Sequence, residues 1–291
     1  MTRHEFLSLL SSGPLLLDGA MGSELFKVGL PQGHLPEEWL VSRAGAIAAV
    51  SAGYAGAGSD AVYSCTFGAN PLNLAKHGLA GRTAEVNRLG VVTARQGAPG
   101  KLVIGSVGPI GEMLEPSGDL SPDDAQSAFA EQVAALVASG VDAIVAETNI
   151  DLGEAVLAVK AARAAGDIPV LASMTFQGAD MGYRTVMGNT PEQSAEELLR
   201  AGADVVGVNC GFGGADALAV AKRMRAAFPE AVIMAKPNAG LPSPTGVYPT
   251  GPEEFAREGL ALRDAGVRIL GGCCGTSPAH LAALARVLRG K

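Results

Sequence analysis

The amino-acid sequence predicts a (β/α)₈ barrel occupying residues 1–291 as a single domain, and three observations carry that prediction. First, an alanine-rich, helix-compatible stretch closes at a glycine, and a short β-branched run follows. The pattern occurs at Gly58-Ser59-Asp60-Ala61-Val62-Tyr63, at Gly140-Val141-Asp142-Ala143-Ile144-Val145 and at Gly202-Ala203-Asp204-Val205-Val206, with a weaker copy at Gly266-Val267-Arg268-Ile269-Leu270. Second, Gly140 and Gly202 lie 62 residues apart, and Gly202 and Gly266 lie 64 apart. Each interval is about twice the ~30 residues of one strand–helix unit. Third, further apolar runs fall between these copies and bring the number of candidate strands to eight.

In chain order the first strand is Leu15-Leu16-Leu17 and the second follows Gly58. The third is Leu102-Val103-Ile104-Gly105 and the fourth follows Gly140. The fifth is Val170-Leu171-Ala172-Ser173-Met174, and the sixth follows Gly202. The seventh is Val232-Ile233-Met234-Ala235-Lys236, and the eighth follows Gly266. Most are apolar on both faces, as parallel strands covered by helices are. Each glycine supplies the left-handed stop of the helix before it. Helix-compatible segments fill the intervals, among them 123–139, 153–165 and 191–201. A doubly wound open sheet is the alternative, but no glycine-rich dinucleotide fingerprint follows the first strand. No linker divides the chain. The Pro/Gly-rich stretch 237–252 falls between strands seven and eight and reads as an elaborated loop.

Composition narrows the function classes. With 48% hydrophobic and 18% charged residues the chain is not disordered. Its net charge of −7, with no gathering of Lys and Arg, argues against a nucleic-acid footprint or an anionic-membrane surface. The uncharged stretch 44–59 is too short and too rich in Ala and Gly to span a bilayer. The N-terminus shows no export pattern, so a cytoplasmic, reducing location is expected, and with it free rather than disulfide-bonded cysteines.

A barrel of this kind places its chemistry at the carboxyl ends of the strands. Those positions hold Asp18-Gly19-Ala20-Met21-Gly22, Cys65-Thr66-Phe67, Ser106-Val107, Glu147-Thr148-Asn149, Asn209-Cys210-Gly211, Pro237-Asn238-Ala239-Gly240 and Gly272-Cys273-Cys274-Gly275. Three of the four cysteines therefore share one mouth. Single free cysteines are commonly small buried hydrophobes. An adjacent pair flanked by glycines, with a third Cys at another strand end, points instead to metal ligation. Three thiolates on a d¹⁰ ion leave a fourth tetrahedral position open, the pattern of a catalytic zinc. An iron–sulfur cluster needs a fourth thiolate, and Cys65 is expected to pack near strand two. None of His4, His34, His77 and His280 falls at a strand end. Glu147 and Asp18 are carboxylates at positions where burial is expensive. They either cap loop amides or form a socket for a cation such as an amino acid's ammonium, with the backbone amides of Gly19, Ala20, Met21 and Gly22 suited to its carboxylate. An unrelated barrel in which the cysteines merely pack, with a phosphate-binding glycine loop, is a further reading of the same residues.

Asp18-Gly19-Ala20-Met21-Gly22, Glu147-Thr148, Gly207-Val208-Asn209-Cys210, Pro237-Asn238-Ala239-Gly240 and Gly271-Gly272-Cys273-Cys274-Gly275-Thr276, in this order over nearly the whole chain, resemble the homocysteine S-methyltransferase family. The resemblance implies zinc bound by Cys210, Cys273 and Cys274, with the homocysteine sulfur at the open position and methionine as product. It further implies Glu147 and Asp18 at the substrate's amino group and Asn238 near the metal. Members use betaine, S-methylmethionine, S-adenosylmethionine or a methylcorrinoid. Gly68 after Phe67 and Thr148 after Glu147 are not the aromatics of a quaternary-ammonium cage. Thr66-Phe67-Gly68-Ala69-Asn70 and Pro237-Asn238-Ala239-Gly240-Leu241-Pro242 resemble the homocysteine-binding module of cobalamin-dependent methionine synthase. The expected donor is thus a methylcorrinoid, either methylcobalamin or a separate corrinoid protein. The alternatives are S-methylmethionine or S-adenosylmethionine, or a non-catalytic acceptor module of a split methionine synthase.

Overall fold

The computed structural model describes residues 1–290. The chain begins with α1 (Arg3–Ser11), then β1 (Leu15–Leu16), α2 (Met21–Lys27), α3 (Glu38–Ser42), α4 (Ala44–Gly56) and β2 (Ala61–Tyr63). Next come α5 (Pro71–Lys76), α6 (Thr83–Gly97), β3 (Leu102–Val107), α7 (Pro122–Ala138), β4 (Ala143–Asn149) and α8 (Leu152–Ala164). The second half runs β5 (Val170–Met174), α9 (Pro191–Ala201), β6 (Val205–Asn209), α10 (Gly214–Ala227), β7 (Val232–Lys236), α11 (Pro252–Asp264), β8 (Ile269–Leu270) and α12 (Pro278–Leu288). All eight strands pair in parallel in the order β1-β8-β7-β6-β5-β4-β3-β2, the expected (β/α)₈ barrel. Between β1 and β2 individual bonds replace the ladder. Asp60 N–H donates to Leu16 O at 2.7 Å, Leu16 N–H to Asp60 Oδ2 at 3.0 Å and Tyr63 N–H to Asp18 Oδ2 at 2.7 Å.

The glycine–aspartate pattern has a structural cause. Gly58, Gly140, Gly202 and Gly266 all have positive φ, between 81° and 109°. In each case an arginine donates to the glycine carbonyl: Arg289 to Gly58, Arg95 to Gly140, Arg163 to Gly202 and Arg225 to Gly266, at 2.5 to 3.1 Å. Where an aspartate follows, its carboxylate accepts an N–H from the first two residues of the preceding strand. Asp60 takes Leu16, Asp142 takes Val103 at 2.8 Å and Asp204 takes Val170 at 2.9 Å. The device joins every second strand to the strand before it at the amino end of the barrel, which is why the repeat spans two units.

The interior is filled by every second residue of the strands, among them Leu15, Leu17, Ala61, Ile104, Val145, Leu171, Val205, Met234 and Ile269. Phe6 and Leu10 of α1 plug the amino end. A larger apolar layer lies between strands and helices, with Phe129, Leu136, Val159, Leu198 and Leu281 fully buried. Continuing the period of two toward the carboxyl end brings Tyr63, Ser106, Glu147, Ser173, Asn209 and Lys236 onto the interior face. The last layer before the mouth is polar. Among the described residues no helix is long and apolar enough to cross a membrane.

Candidate metal and substrate site

The loops after the strands enclose a cavity of about 930 Å³ whose floor holds Asp18, Tyr63, Ser106, Glu147, Lys236 and the three cysteines. Cys210 follows β6 with φ of +60°, an uncommon conformation for a residue with a side chain, and Thr148 on β4 has the same φ. Backbone bonds hold the three loops together. Cys210 N–H donates to Lys236 O at 3.1 Å, Cys273 N–H to Pro237 O at 2.8 Å, Ala239 N–H to Cys274 O at 3.0 Å and Asn238 N–H to Phe212 O at 3.0 Å.

These bonds bring the sulfurs of Cys210, Cys273 and Cys274 within 4.8 Å of one another, with Cys210 and Cys274 at 3.9 Å. Tetrahedral zinc with Zn–S bonds of about 2.3 Å requires sulfurs about 3.8 Å apart, so the set is spaced for one ion. The Asn238 carboxamide supports the same fit, because its Oδ1 is buried and has no hydrogen-bond partner among the described residues. The Cys210 thiol is held far below its ordinary range because Cys273 and Cys274 donate to it, while those two are pushed up by the same bonds and by burial. Cys65 lies elsewhere, buried among Leu25, Leu40, Leu74 and Val86.

Several residues around the sulfurs have no role assigned from sequence. Asn209 accepts from Thr148 N–H at 2.8 Å and from Ser173 Oγ at 2.7 Å. Its amide donates to Thr148 Oγ1 at 2.7 Å and reaches Cys273 Sγ at 3.8 Å. Tyr248, on the loop before α11, interacts through its hydroxyl with Cys274, and burial, with Cys274 beside it, pushes that hydroxyl up to about 12. A Cβ on Gly275, whose φ is +79°, would lie 2.1 Å from the Tyr248 ring, so the Cys-Cys-Gly sequence is also a seat for this aromatic.

The carboxylates differ from each other. Glu147 accepts from Ser106 Oγ at 2.6 Å, and burial raises its pKa against the opposing effects of Lys236 and Ser106. Asp18 has both oxygens engaged, Oδ1 by Lys236 Nζ at 2.9 Å and Oδ2 by Tyr63 N–H. Sequence reasoning leaves Asp18 either capping amides or meeting a substrate cation; in the fold it accepts a backbone N–H and pairs with a cation of the chain itself, 218 residues away. Gly19 packs against Thr276 and Tyr54 with no room for a Cβ. Both polar groups of Ala20 are used internally: its N–H donates to Thr276 Oγ1 at 3.1 Å and its carbonyl accepts from Tyr54 Oη at 2.9 Å. Met21, on the cavity wall, opens α2, whose first N–H groups have no intrahelical acceptor.

Fold and site together define a parallel barrel with a three-cysteine, metal-competent mouth opening on a substrate-sized cavity. The homocysteine S-methyltransferase family model matches residues 15–288, and the chain belongs to that family of methyltransferases. The methionine synthase of Mycobacterium tuberculosis (strain ATCC 25618 / H37Rv) is 32% identical over 314 aligned positions, covering 98% of this chain and 26% of that protein. The Mycobacterium leprae (strain TN) methionine synthase is 29% identical over 302 positions, covering 95% and 24%. The chain thus spans about a quarter of the length of these relatives. The metallated form of the Escherichia coli homocysteine methyltransferase MmuM shares the fold, with a TM-score of 0.81 at 24% identity over 96% of this chain and 98% of that one.

Proposed function

We propose that this chain methylates homocysteine to methionine, with Cys210, Cys273 and Cys274 holding a zinc ion and the substrate sulfur joining them. The observation that carries the reading is the meeting of three sulfurs from two distant loops, spaced for one tetrahedral ion. Such an ion, when bound, keeps an alkyl thiol as thiolate at neutral pH, where a free thiol of pKa about 8.5 is mostly protonated. The protein's residues do the rest. Asn209 orients Cys273, and the Tyr248 ring on Gly275 keeps its hydroxyl beside Cys274. Glu147, held by Ser106, receives the substrate's ammonium. The first-turn N–H groups from Met21 onward suit its carboxylate, and Asn238 Oδ1 is available to the metal before substrate arrives.

The proposed donor is a methylcorrinoid, as free methylcobalamin or on a separate corrinoid protein. Two observations support it: the relatives are named methionine synthase, and the cavity is lined by the exposed apolar side chains of Phe26, Phe67 and Val247. A second reading, a sulfonium donor such as S-methylmethionine or S-adenosylmethionine, is favoured by the aromatics Phe26, Phe67 and Tyr248 on the cavity wall. The chain covers only part of its relatives, which keeps a third role open to test, an acceptor module without turnover alone. A donor panel with homocysteine, run on protein of measured zinc content, separates the three. One zinc per chain and methionine formed from methylcobalamin are expected, with both metal and product lost in Cys273→Ser. Metal-free protein that still methylates homocysteine would overturn the proposal.

A further inference from the structure

The inference concerns how the cavity counts charge, and it rests on the reading just given, that the substrate is an amino-acid thiol. Asp18, Lys236 and Tyr63 come from the ends of three strands and form a closed set. Lys236 Nζ donates to Asp18 Oδ1 at 2.9 Å and stands 3.5 Å from the centroid of the Tyr63 ring, while the Tyr63 peptide N–H takes the other carboxylate oxygen. The side chains of Asp18 and Lys236 are each 3% exposed. Glu147 lies on the same floor and is also buried. Among the described residues its sole hydrogen-bond donor is the neutral hydroxyl of Ser106, and no cationic side chain forms an ion pair with it. A buried carboxylate without a counter-charge is costly. Asp18 and Lys236 pair with each other, so among the described residues Glu147 is the carboxylate of the floor left without an ion-pair partner.

We propose that Lys236 is a specificity-determining residue: it neutralises Asp18, so that the cavity takes a thiol bearing one ammonium group and seats that group at Glu147. A thiol without the ammonium leaves Glu147 unpaired. A second substrate cation meets no free carboxylate. Lys236 acts through Asp18, and this gives the proposal a signature in paired variants. In D18N the freed ammonium of Lys236 turns to Glu147, whose carboxyl already feels its charge, and competes with the substrate. In D18N/K236M both charges of the internal pair are gone, the Tyr63 N–H keeps an acceptor, and Glu147 is again the floor carboxylate without an ion-pair partner.

The test compares binding of L-homocysteine and 4-mercaptobutyrate, which lacks the amino group, to zinc-loaded protein by calorimetric titration. Thermal midpoint and zinc content are measured on every variant. Wild type favours homocysteine. That preference falls about tenfold or more in E147Q and in D18N, and returns to within about threefold of wild type in D18N/K236M. K236M alone, which strands a buried carboxylate, unfolds at lower temperature than D18N/K236M. A folded, zinc-replete D18N/K236M that has lost the preference as fully as D18N would overturn the inference, since Asp18 would then bind the substrate itself. A zinc-loaded wild type that does not prefer homocysteine would instead overturn the proposed function and the inference together.

Discussion

At the scale of single residues, what distinguishes this site is how each ionisable group is paired. The adjacent cysteines were conspicuous in sequence because a Cys-Cys pair between glycines has few structural uses. Lys236 and Tyr63 were not, and Ser106 and Asn209 stood at strand ends without a role, because the meaning of each depends on which face the strand turns inward. Glu37 is a second case of a carboxylate that sequence reading passed over. It is 1% exposed, accepts the Gly68 N–H at 2.5 Å, and burial raises its pKa from 4.5 to about 7. A carboxyl with a higher pKa folded than unfolded binds its proton more tightly in the folded state. Stability is therefore greatest below about pH 4.5 as far as this group is concerned, and falls as pH rises through about 7. Glu37→Gln keeps an acceptor for Gly68 and has no charge to bury. Its thermal midpoint is expected to exceed the wild type's at pH 8, by the equivalent of up to about 3 kcal/mol, and to approach it below about pH 4.5. Equal midpoints of the two proteins at pH 8 would contradict this.

At the scale of elements, the amino end of the barrel is organised by one recurring device of arginine, glycine carbonyl, aspartate and strand N–H. The repeat of glycine and aspartate was legible because those residues are neighbours in sequence. The arginines were not, since Arg95 and Arg163 lie about 40 residues or more from the glycines they cap and nothing local marks them. The weak fourth copy has Arg268 in place of the aspartate, yet Arg225 still reaches the Gly266 carbonyl at 2.7 Å, so the capping half of the device survives alone. Asp142→Ala removes the acceptor of Val103 N–H and the partner of Arg95. A loss of about 1–3 kcal/mol is expected in urea unfolding. Asp204→Ala, whose fully buried carboxylate pairs with Arg163, is expected to cost more. Both variants should keep wild-type zinc content, because the device and the cysteines occupy opposite ends of the strands. Loss of metal in a folded Asp142→Ala protein would show that the two ends are coupled.

At the scale of the whole molecule, the apolar interior and the strand–helix layer are complete beneath the cysteines, so the core would not depend on a metal bound at the mouth. Chelation is expected to lower the thermal midpoint by several degrees, in line with RT ln(1 + [Zn]/Kd), about 4 kcal/mol at a thousandfold excess over Kd, and to leave far-UV circular dichroism unchanged. Collapse of the helical signal on chelation would mean that the mouth loops carry the fold. The alternation of helix stops and β-branched runs, and the residue types at strand ends, are properties of neighbouring residues. They were enough to read the barrel, the order of its strands and the three sulfurs. The pairing of Asp18 with Lys236, the seat of Tyr248 on Gly275 and the isolation of Glu147 join residues far apart in the chain. Electrostatic and steric interactions act over a few ångströms of space whatever the separation in sequence, so these features came into being only when the barrel closed.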